Sequence, residues 1–200
     1  MAGILKVNNT ELLDADGKWQ TSAVPDGHIV QVKCAYDADQ AAYSATPTAQ
    51  AITNLKCNIT PKSASNTMFV HGHFYVGNNV NYNGGFGLQR RLASASYSSS
   101  DPSIGSFSTQ SIATSSFVRE QNFVAMDDPD SSNTYSLDVF PYGYIDSGYD
   151  TTSEITYQMS FAINSGTQTY YYNRVSDNTT SGRGINTMYI FEIQGTVSIT

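Results

Sequence analysis

The chain has few cysteines, few charges and few basic clusters. Cys34 and Cys57 are its only cysteines and no CxxC spacing occurs. They either pair across neighbouring strands or, as we expect, lie buried as small hydrophobic side chains. Charged residues make up only 14% of the chain and its formal net charge is -7. Arg90-Arg91 is the only adjacent basic pair, so nucleic acid is not an expected partner, because phosphate binding needs clustered lysine and arginine.

Long apolar runs and catalytic motifs are also missing. No apolar stretch approaches the ~20 residues that cross a bilayer, so membrane insertion is not expected. The start, MAGILKVNNTELLD, lacks the layout of a signal peptide, which predicts a soluble chain not secreted by that route. No GxSxG, HExxH, Walker or GxGxxG pattern stands in a usable context. The sequence therefore predicts a protein that is not an enzyme and needs no cofactor.

Polar and aromatic residues with a period of two are abundant. From Ile155 to Ile163 the sequence ITYQMSFAI places alternate residues on opposite faces of a strand. Ile155, Tyr157, Met159, Phe161 and Ile163 are the predicted core residues. Asn164-Ser165-Gly166 interrupts the run before the aromatic residues 170–172, which predicts a β-hairpin from Ile155 to Val175.

Other stretches repeat this pattern and indicate the fold class. In HIVQVKCAY, residues 28–36, alternate positions fall on one face of a strand, and in MFVHGHFYV, residues 68–76, both faces are apolar apart from the histidines. The second stretch predicts a central strand buried on both sides. With no helical period, we expect an all-β fold: an antiparallel, jelly-roll-like β-sandwich of about eight to ten strands over residues 27–200.

Residues 1–26 differ from the rest and are predicted to form an N-terminal attachment arm. Their apolar side chains are too few for a core of their own, so they are expected to order against a neighbour or partner. The predicted attachment residues are Ile4, Leu5, Val7, Leu12, Leu13 and Trp19.

Three stretches follow one another as in a known family. They are ITPKSASNTMFVHGHFYV from Ile59, YIDSGYDTTSEITYQMSFAINSGTQTYYYNRV from Tyr144, and TMYIFEI from Thr187. Over roughly residues 50–195 the chain resembles a β-rich domain of tailed-phage virion proteins, especially phages of marine bacteria and cyanobacteria. Ile59-Thr60-Pro61 with Ser63, Asn173-Arg174 and Glu192-Ile193 carry most of the likeness. Ser147-Gly148-Tyr149 departs from the family's usual Ser-Pro turn.

The resemblance implies a virion protein without catalytic residues. Such a protein is assembled in the host cytoplasm and exposed on the particle as a head decoration or tail-fibre component, usually as a homotrimer. Other capsid or tail proteins are then its partners. The alternative is a tail-fibre module that binds a host surface glycan.

Two clusters are candidate metal sites. His71 and His73 project from the same face of a strand and could share a metal ion, although packing histidines are the commoner case. Asp127, Asp128 and Asp130 gather three carboxylates in one turn, which suits Ca²⁺ or sugar hydroxyls. The simpler interpretation is a solvated turn, since aspartate and proline favour turns.

The segment PYGYIDSGYD supplies candidate glycan-binding residues. Tyr142, Tyr144 and Tyr149 could form an aromatic platform, because an aromatic face stacks on sugar C–H groups. With the carboxylates of the Asp127–Asp130 turn, they are the predicted ligand-binding set. Tyrosines 170–172 are expected to serve packing and a subunit interface instead.

Overall fold

Within the residues that the structure describes, the chain is entirely β. The computed structural model describes residues 6–7, 10–11, 26–46, 50–77, 84–96, 103–104, 124–126, 137–147, 149–163, 166–176 and 182–197. No helix in these ranges is long and apolar enough to span a membrane. The strands are β1 (Lys6–Val7), β2 (Thr10–Glu11), β3 (Ile29–Asp37), β4 (Ala41–Ala45), β5 (Gln50–Ile59), β6 (Thr67–Gly77), β7 (Gly84–Leu92), β8 (Ser103–Ile104), β9 (Val124–Met126), β10 (Asp138–Asp146), β11 (Ile155–Ile163), β12 (Gln168–Tyr172) and β13 (Asn186–Ile193).

The strands form two main antiparallel sheets. The six-stranded sheet has the order β3-β13-β6-β12-β4. β13 and β12 pair with different parts of one edge of β6, and β10 pairs with the other edge. The five-stranded sheet has the order β5-β11-β7-β8, and β9 also pairs with β7. β1 and β2 pair only with each other among the described strands. The predicted all-β, antiparallel fold is therefore confirmed.

A continuous apolar core lies between the two sheets. Phe74 of β6 meets Phe86 of β7 with ring centroids 4.5 Å apart. Tyr43 of β4 meets Phe161 of β11 at 5.6 Å, edge to face. Such offset and edge-to-face contacts are the favourable geometries for aromatic rings. The fully buried large side chains are Tyr157, Tyr172, Phe74, Phe86, Phe161, Ile52, Leu55, Ile59, Met68, Leu88 and Ile155.

Strand β11 is buried on both sides. Its predicted core residues Ile155, Tyr157, Met159 and Phe161 are at most 1% exposed, while the side chain of Ile163 lies outside the described part. The alternate positions are buried as well. Gln158 Nε2 donates to Ile52 O at 3.0 Å and Ser160 Oγ to Gly87 O at 3.3 Å.

The predicted hairpin from Ile155 to Val175 is wrong. Both edges of β11 are occupied, one by β5 and the other by β7, in the five-stranded sheet. β12 pairs instead with β4 and β6 in the six-stranded sheet. The chain therefore crosses from one sheet to the other after β11 rather than folding back beside it.

One face of the six-stranded sheet points away from the sandwich, and we call it the outer face. Residues at alternate positions of β6 turn towards it and are only partly buried, so the prediction that this strand is buried on both sides is wrong. We restrict the name to four of its strands, where this side consists of Phe69, His71, His73 and Tyr75 on β6, Val139, Pro141, Gly143 and Ile145 on β10, Thr187, Tyr189, Phe191 and Ile193 on β13, and Ile29, Val32, Cys34 and Tyr36 on β3. Tyr171 of β12 and Ala42 of β4 continue the same side of the sheet.

The cysteines differ in environment. Both are free thiols; Cys57 is buried, whereas Cys34 is exposed on the outer face. The expectation of two buried cysteines therefore holds for Cys57 alone. Burial raises the pKa of the Cys57 thiol to about 11, because the charged thiolate is disfavoured away from water.

Candidate functional site

Glu192 joins two of the three sequence stretches that resemble the phage family. Its side chain is fully buried at the end of β13. Oε1 accepts hydrogen bonds from the backbone N–H groups of Lys62 (2.7 Å) and Ser63 (3.2 Å) and from Asn66 Nδ2 (2.6 Å). Gln31 Nε2 donates to Oε2. The carboxylate thus organises the turn that follows Pro61 and fastens it to the six-stranded sheet.

Asn173 has a comparable role at the end of β12. Its backbone is left-handed, with φ 56°, a conformation that asparagine tolerates better than most residues. The side-chain Nδ2 donates to Asp37 O (2.7 Å) and Asp39 O (3.0 Å), and the backbone N–H donates to Tyr75 O (3.2 Å). Asn173 therefore ties the β3–β4 connection to the centre of the sheet.

A buried ion pair bridges the two sheets. Arg90 Nη1 of β7 lies 2.6 Å and 2.7 Å from the two carboxylate oxygens of Asp146, at the end of β10. The hydroxyl of Tyr157 donates to Asp146 Oδ2 at 2.7 Å. Asp146 is 5% exposed and Tyr157 is inaccessible. The carboxylate is thus held by partners from the facing sheet.

Two of the three predicted glycan-binding tyrosines are core residues. Tyr142 lies opposite Gly72 and donates to Thr187 O at 2.8 Å, and Tyr149 donates to Ser63 O at 2.9 Å. Both are nearly inaccessible, with exposed fractions of 7% and 6%. Neither ring offers a face to a sugar, so the predicted platform does not form from these two side chains. Tyr144 is only partly buried and keeps its predicted role as a proposal.

Four of the buried tyrosines share a direction of pKa shift. Burial is the main cause that raises the pKa of each phenol, because phenolate is disfavoured in the apolar interior. At Tyr157 the neighbouring Asp146 carboxylate adds to the effect. The affected residues are Tyr142, Tyr149, Tyr157 and Tyr172.

His71 and His73 do share one face of β6. His73 Nε2 lies 3.0 Å from Ile185 O and its Nδ1 lies 3.1 Å from Thr187 Oγ1, so both ring nitrogens have protein partners. His71 is stacked among aromatic rings. In the ranges that the structure covers, no group of three or more histidine, cysteine or acidic side chains is arranged to hold a metal. The metal site remains a prediction without support from the described geometry.

The remaining predicted site residues lie outside the described part. The Asp127, Asp128 and Asp130 turn follows β9 directly, beyond its last described residue. Of the predicted attachment residues, only Val7 falls in a described strand, β1, and nothing is described of its side chain. The other five are Ile4, Leu5, Leu12, Leu13 and Trp19.

The outer face is the most conspicuous surface of the described residues, but the sequence pattern does not show that it is exposed. The same-face placement of Val32, Cys34 and Tyr36 was apparent from the alternation in β3. That alternation indicates which residues share a face, but it does not indicate whether a second sheet covers the face. The exposed fractions of Val32 (49%) and Tyr36 (77%) show that the residues described by the structure leave it uncovered there.

Comparisons with known proteins find distant structural likenesses. No protein-family model and no curated protein matches the chain. A chain in the structure of infectious bursal disease virus Gt strain is similar over 84% of this chain and 39% of its own, with 13% identity and a TM-score of 0.38. A chain of the T13 particle of that virus is similar over 85% and 40%, with 12% identity and a TM-score of 0.38.

A third likeness is to the crystal structure of the infectious bursal disease virus VP2 subviral particle. It covers 83% of this chain and 38% of that one, with 11% identity and a TM-score of 0.34. The chain thus spans about two fifths of the length of the solved chains it matches. Similarity at this level does not assign a function.

Proposed function

We propose that the chain is a non-enzymatic structural protein on the exterior of a tailed-phage virion. It serves as a head decoration or cement protein or as a tail-fibre component, and residues 1–26 attach it to the particle. The supporting observation is that the stretches resembling the phage family meet in the fold. Glu192, from the last stretch, holds the turn at Lys62 and Ser63, from the first.

The use of the buried acids supports a structural role. A general acid or base must have a lone pair or proton to offer a substrate. Glu192 instead receives four donors from the protein, and Asp146 is held between an arginine and a tyrosine hydroxyl. These carboxylates stabilise the sandwich, and neither is poised for catalysis.

The proposed partners follow from this role. The protein assembles with further copies of itself, in the form of a homotrimer, and with capsid or tail proteins that receive the arm. The alternative role as a glycan-binding module has lost support from the described residues, since Tyr142 and Tyr149 are buried. It now depends on Tyr144 and on the aspartate turn.

Incorporation into particles tests the proposed attachment. Phage is grown with the full chain, with a chain lacking residues 1–26, or with a full-length chain in which the six apolar arm residues are replaced by serine. We expect the full chain to co-purify with particles and both altered chains to remain in the lysate as folded protein. Equal incorporation of all three would overturn the proposal that the arm attaches the protein.

A further inference from the structure

The outer face is apolar in a position where a sandwich normally meets water. Large hydrophobic side chains on three of its four strands stand 37% to 56% exposed: Ile29 and Val32 on β3, Tyr189 on β13, and Val139 on β10. Strand β6 lies between β13 and β10 and contributes partly buried rings. Tyr36, at the end of β3, is 77% exposed. A contiguous patch of this kind on a soluble protein marks a surface that another molecule covers.

The centre of the outer face is already ordered. His71 stacks on Tyr189, Phe191 and Phe69 with ring centroids 5.2, 5.4 and 5.3 Å apart and interplanar angles of 18°, 13° and 22°. The rings belong to β6 and β13, whose backbones pair directly. Association through this cluster would cost little side-chain entropy, because the rings are held by one another before a partner arrives.

The absence of charge on the outer face narrows the class of partner. None of its sixteen residues on β3, β13, β6 and β10 is aspartate, glutamate, lysine or arginine, although the chain as a whole carries a formal net charge of -7. On the same side of the sheet but outside these four strands, the Arg174 guanidinium lies over the ring of Tyr171 at 4.6 Å. Nucleic acid and anionic membrane surfaces require cations, which this face lacks. A sugar that stacks on an aromatic ring also needs carboxylates or amides beside the ring to bind its hydroxyls, and these residues include neither. A second copy of an acidic chain, in contrast, can approach only through an uncharged surface without like-charge repulsion.

The dimensions also suit association between copies. Four strands spaced about 4.8 Å apart and about eight residues long, at 3.3 Å per residue, cover roughly 500 Å². A second copy that covers this face loses a similar area of its own surface, so the two together bury on the order of 1,000 Å², the lower limit for a specific protein–protein interface.

We propose that the outer face is covered by a second copy of this chain. The inference deepens the proposed function, which requires assembly in several copies, but it concerns the purified protein in solution. Its failure is therefore distinguishable from failure of the virion role: a protein monomeric in solution can still be incorporated into particles, and an oligomer can be absent from them.

The experiment measures the mass of the full chain in solution by light scattering and sedimentation over a range of concentrations. The variants Val32→Glu and Tyr36→Glu each add one negative charge to the outer face at exposed positions. The control variant, Asn54→Asp, adds the same charge at an exposed position of β5 in the other sheet. It keeps the side-chain oxygen that accepts hydrogen bonds from Thr53 and Tyr43. Circular dichroism and thermal melting establish that each variant is folded.

We expect the parent and Asn54→Asp to form a multiple of the 21.7 kDa chain. Each outer-face variant should raise the dissociation constant about tenfold or more, because a carboxylate would be desolvated without a partner. The exposed thiol of Cys34 provides a second readout. Its labelling should slow as parent concentration rises and should not slow in Val32→Glu or Tyr36→Glu.

Two results would overturn the inference. One is a parent chain that stays monomeric at high micromolar concentration, whether or not Cys34 reacts. The other is an oligomer whose dissociation constant is the same in the parent, the two outer-face variants and the control, because its interface would then lie elsewhere.

Discussion

Replacing Glu192 with glutamine should destabilise the protein more than the isosteric change suggests. Oε1 of Glu192 accepts from Lys62 N, Ser63 N and Asn66 Nδ2. Hydrogen bonds to a charged group contribute about 1.5–3 kcal/mol each, and those between neutral groups about 0.5–1.5. Three bonds weakened by about 1–1.5 kcal/mol each, offset in part because no charge remains buried, give an expected loss of about 2–4 kcal/mol.

A fourth contact adds to the loss. Gln31 Nε2 donates to Oε2 of Glu192 and also to Thr60 O at 2.7 Å. With an amide nitrogen in place of Oε2, two donors would face each other, and a flip of the Gln31 amide would remove the bond to Thr60. Glu192→Ala should cost more, about 4 kcal/mol or above, since buried donors would be left without an acceptor.

Urea unfolding at one fixed protein concentration measures the change, because association alters apparent stability. The midpoint should fall with the m-value unchanged, and the melting temperature should drop by roughly 4–16 °C for a chain of this size. Glu154→Gln is the matched control at an exposed glutamate and should stay within about 0.5 kcal/mol of the parent. A Glu192→Gln protein as stable as that control would refute the role assigned to the carboxylate.

Three further changes test other contacts. Gly72→Ala should cost about 3 kcal/mol or more, because its Cβ would lie 2.8 Å from the carbonyl carbon of Thr187 and would force β6 away from β13. In Gly143→Ala the Cβ meets only the edge of the Phe69 ring, at 3.4 Å, so this control should stay within about 1 kcal/mol of the parent. Equal urea midpoints for the two variants would contradict the prediction. Tyr157→Phe should cost about 1.5–3 kcal/mol through the lost bond to Asp146, and an unchanged melting temperature would show that the bond contributes nothing. Burial keeps four of the buried tyrosines protonated in the folded state beyond pH 10.0, where unfolded tyrosine ionises: Tyr142, Tyr149, Tyr157 and Tyr172. Each should therefore reduce the unfolding free energy by about 1.4 kcal/mol per pH unit above that value and leave it unaffected below. A urea midpoint independent of alkaline pH would contradict their burial.

Local patterns predicted the strands and much of the core. Alternation in β11 identified Ile155, Tyr157, Met159 and Phe161 as buried, and the structure confirms each. The same signal could not show which sheet receives the next strand. A break between two strands indicates that the chain turns, but pairing depends on which edges are already occupied, and both edges of β11 are.

The polar contacts join residues that are far apart in the sequence, so a local sequence pattern cannot predict them. Glu192 meets the turn at Lys62 from 130 residues away, and nothing near either residue indicates the other. The burial of Tyr142 escapes sequence reasoning for a related reason. Pro141 and Gly143 resemble loop residues, yet β10 pairs with β6 alone among the described strands, and an edge strand tolerates proline. Gly72 across from Tyr142 has no side chain, which leaves room for the phenol to be buried.

The central claim, that this chain is an exterior component of a phage particle, is tested most directly by imaging the particle and fitting the described β-sandwich into its density. The account predicts that the sandwich fits density on the outside of the head or along a tail fibre, with the end that precedes Asp26 directed at the underlying shell or tail. Particles whose density holds no such sandwich, although the infected cell makes the chain, would contradict it.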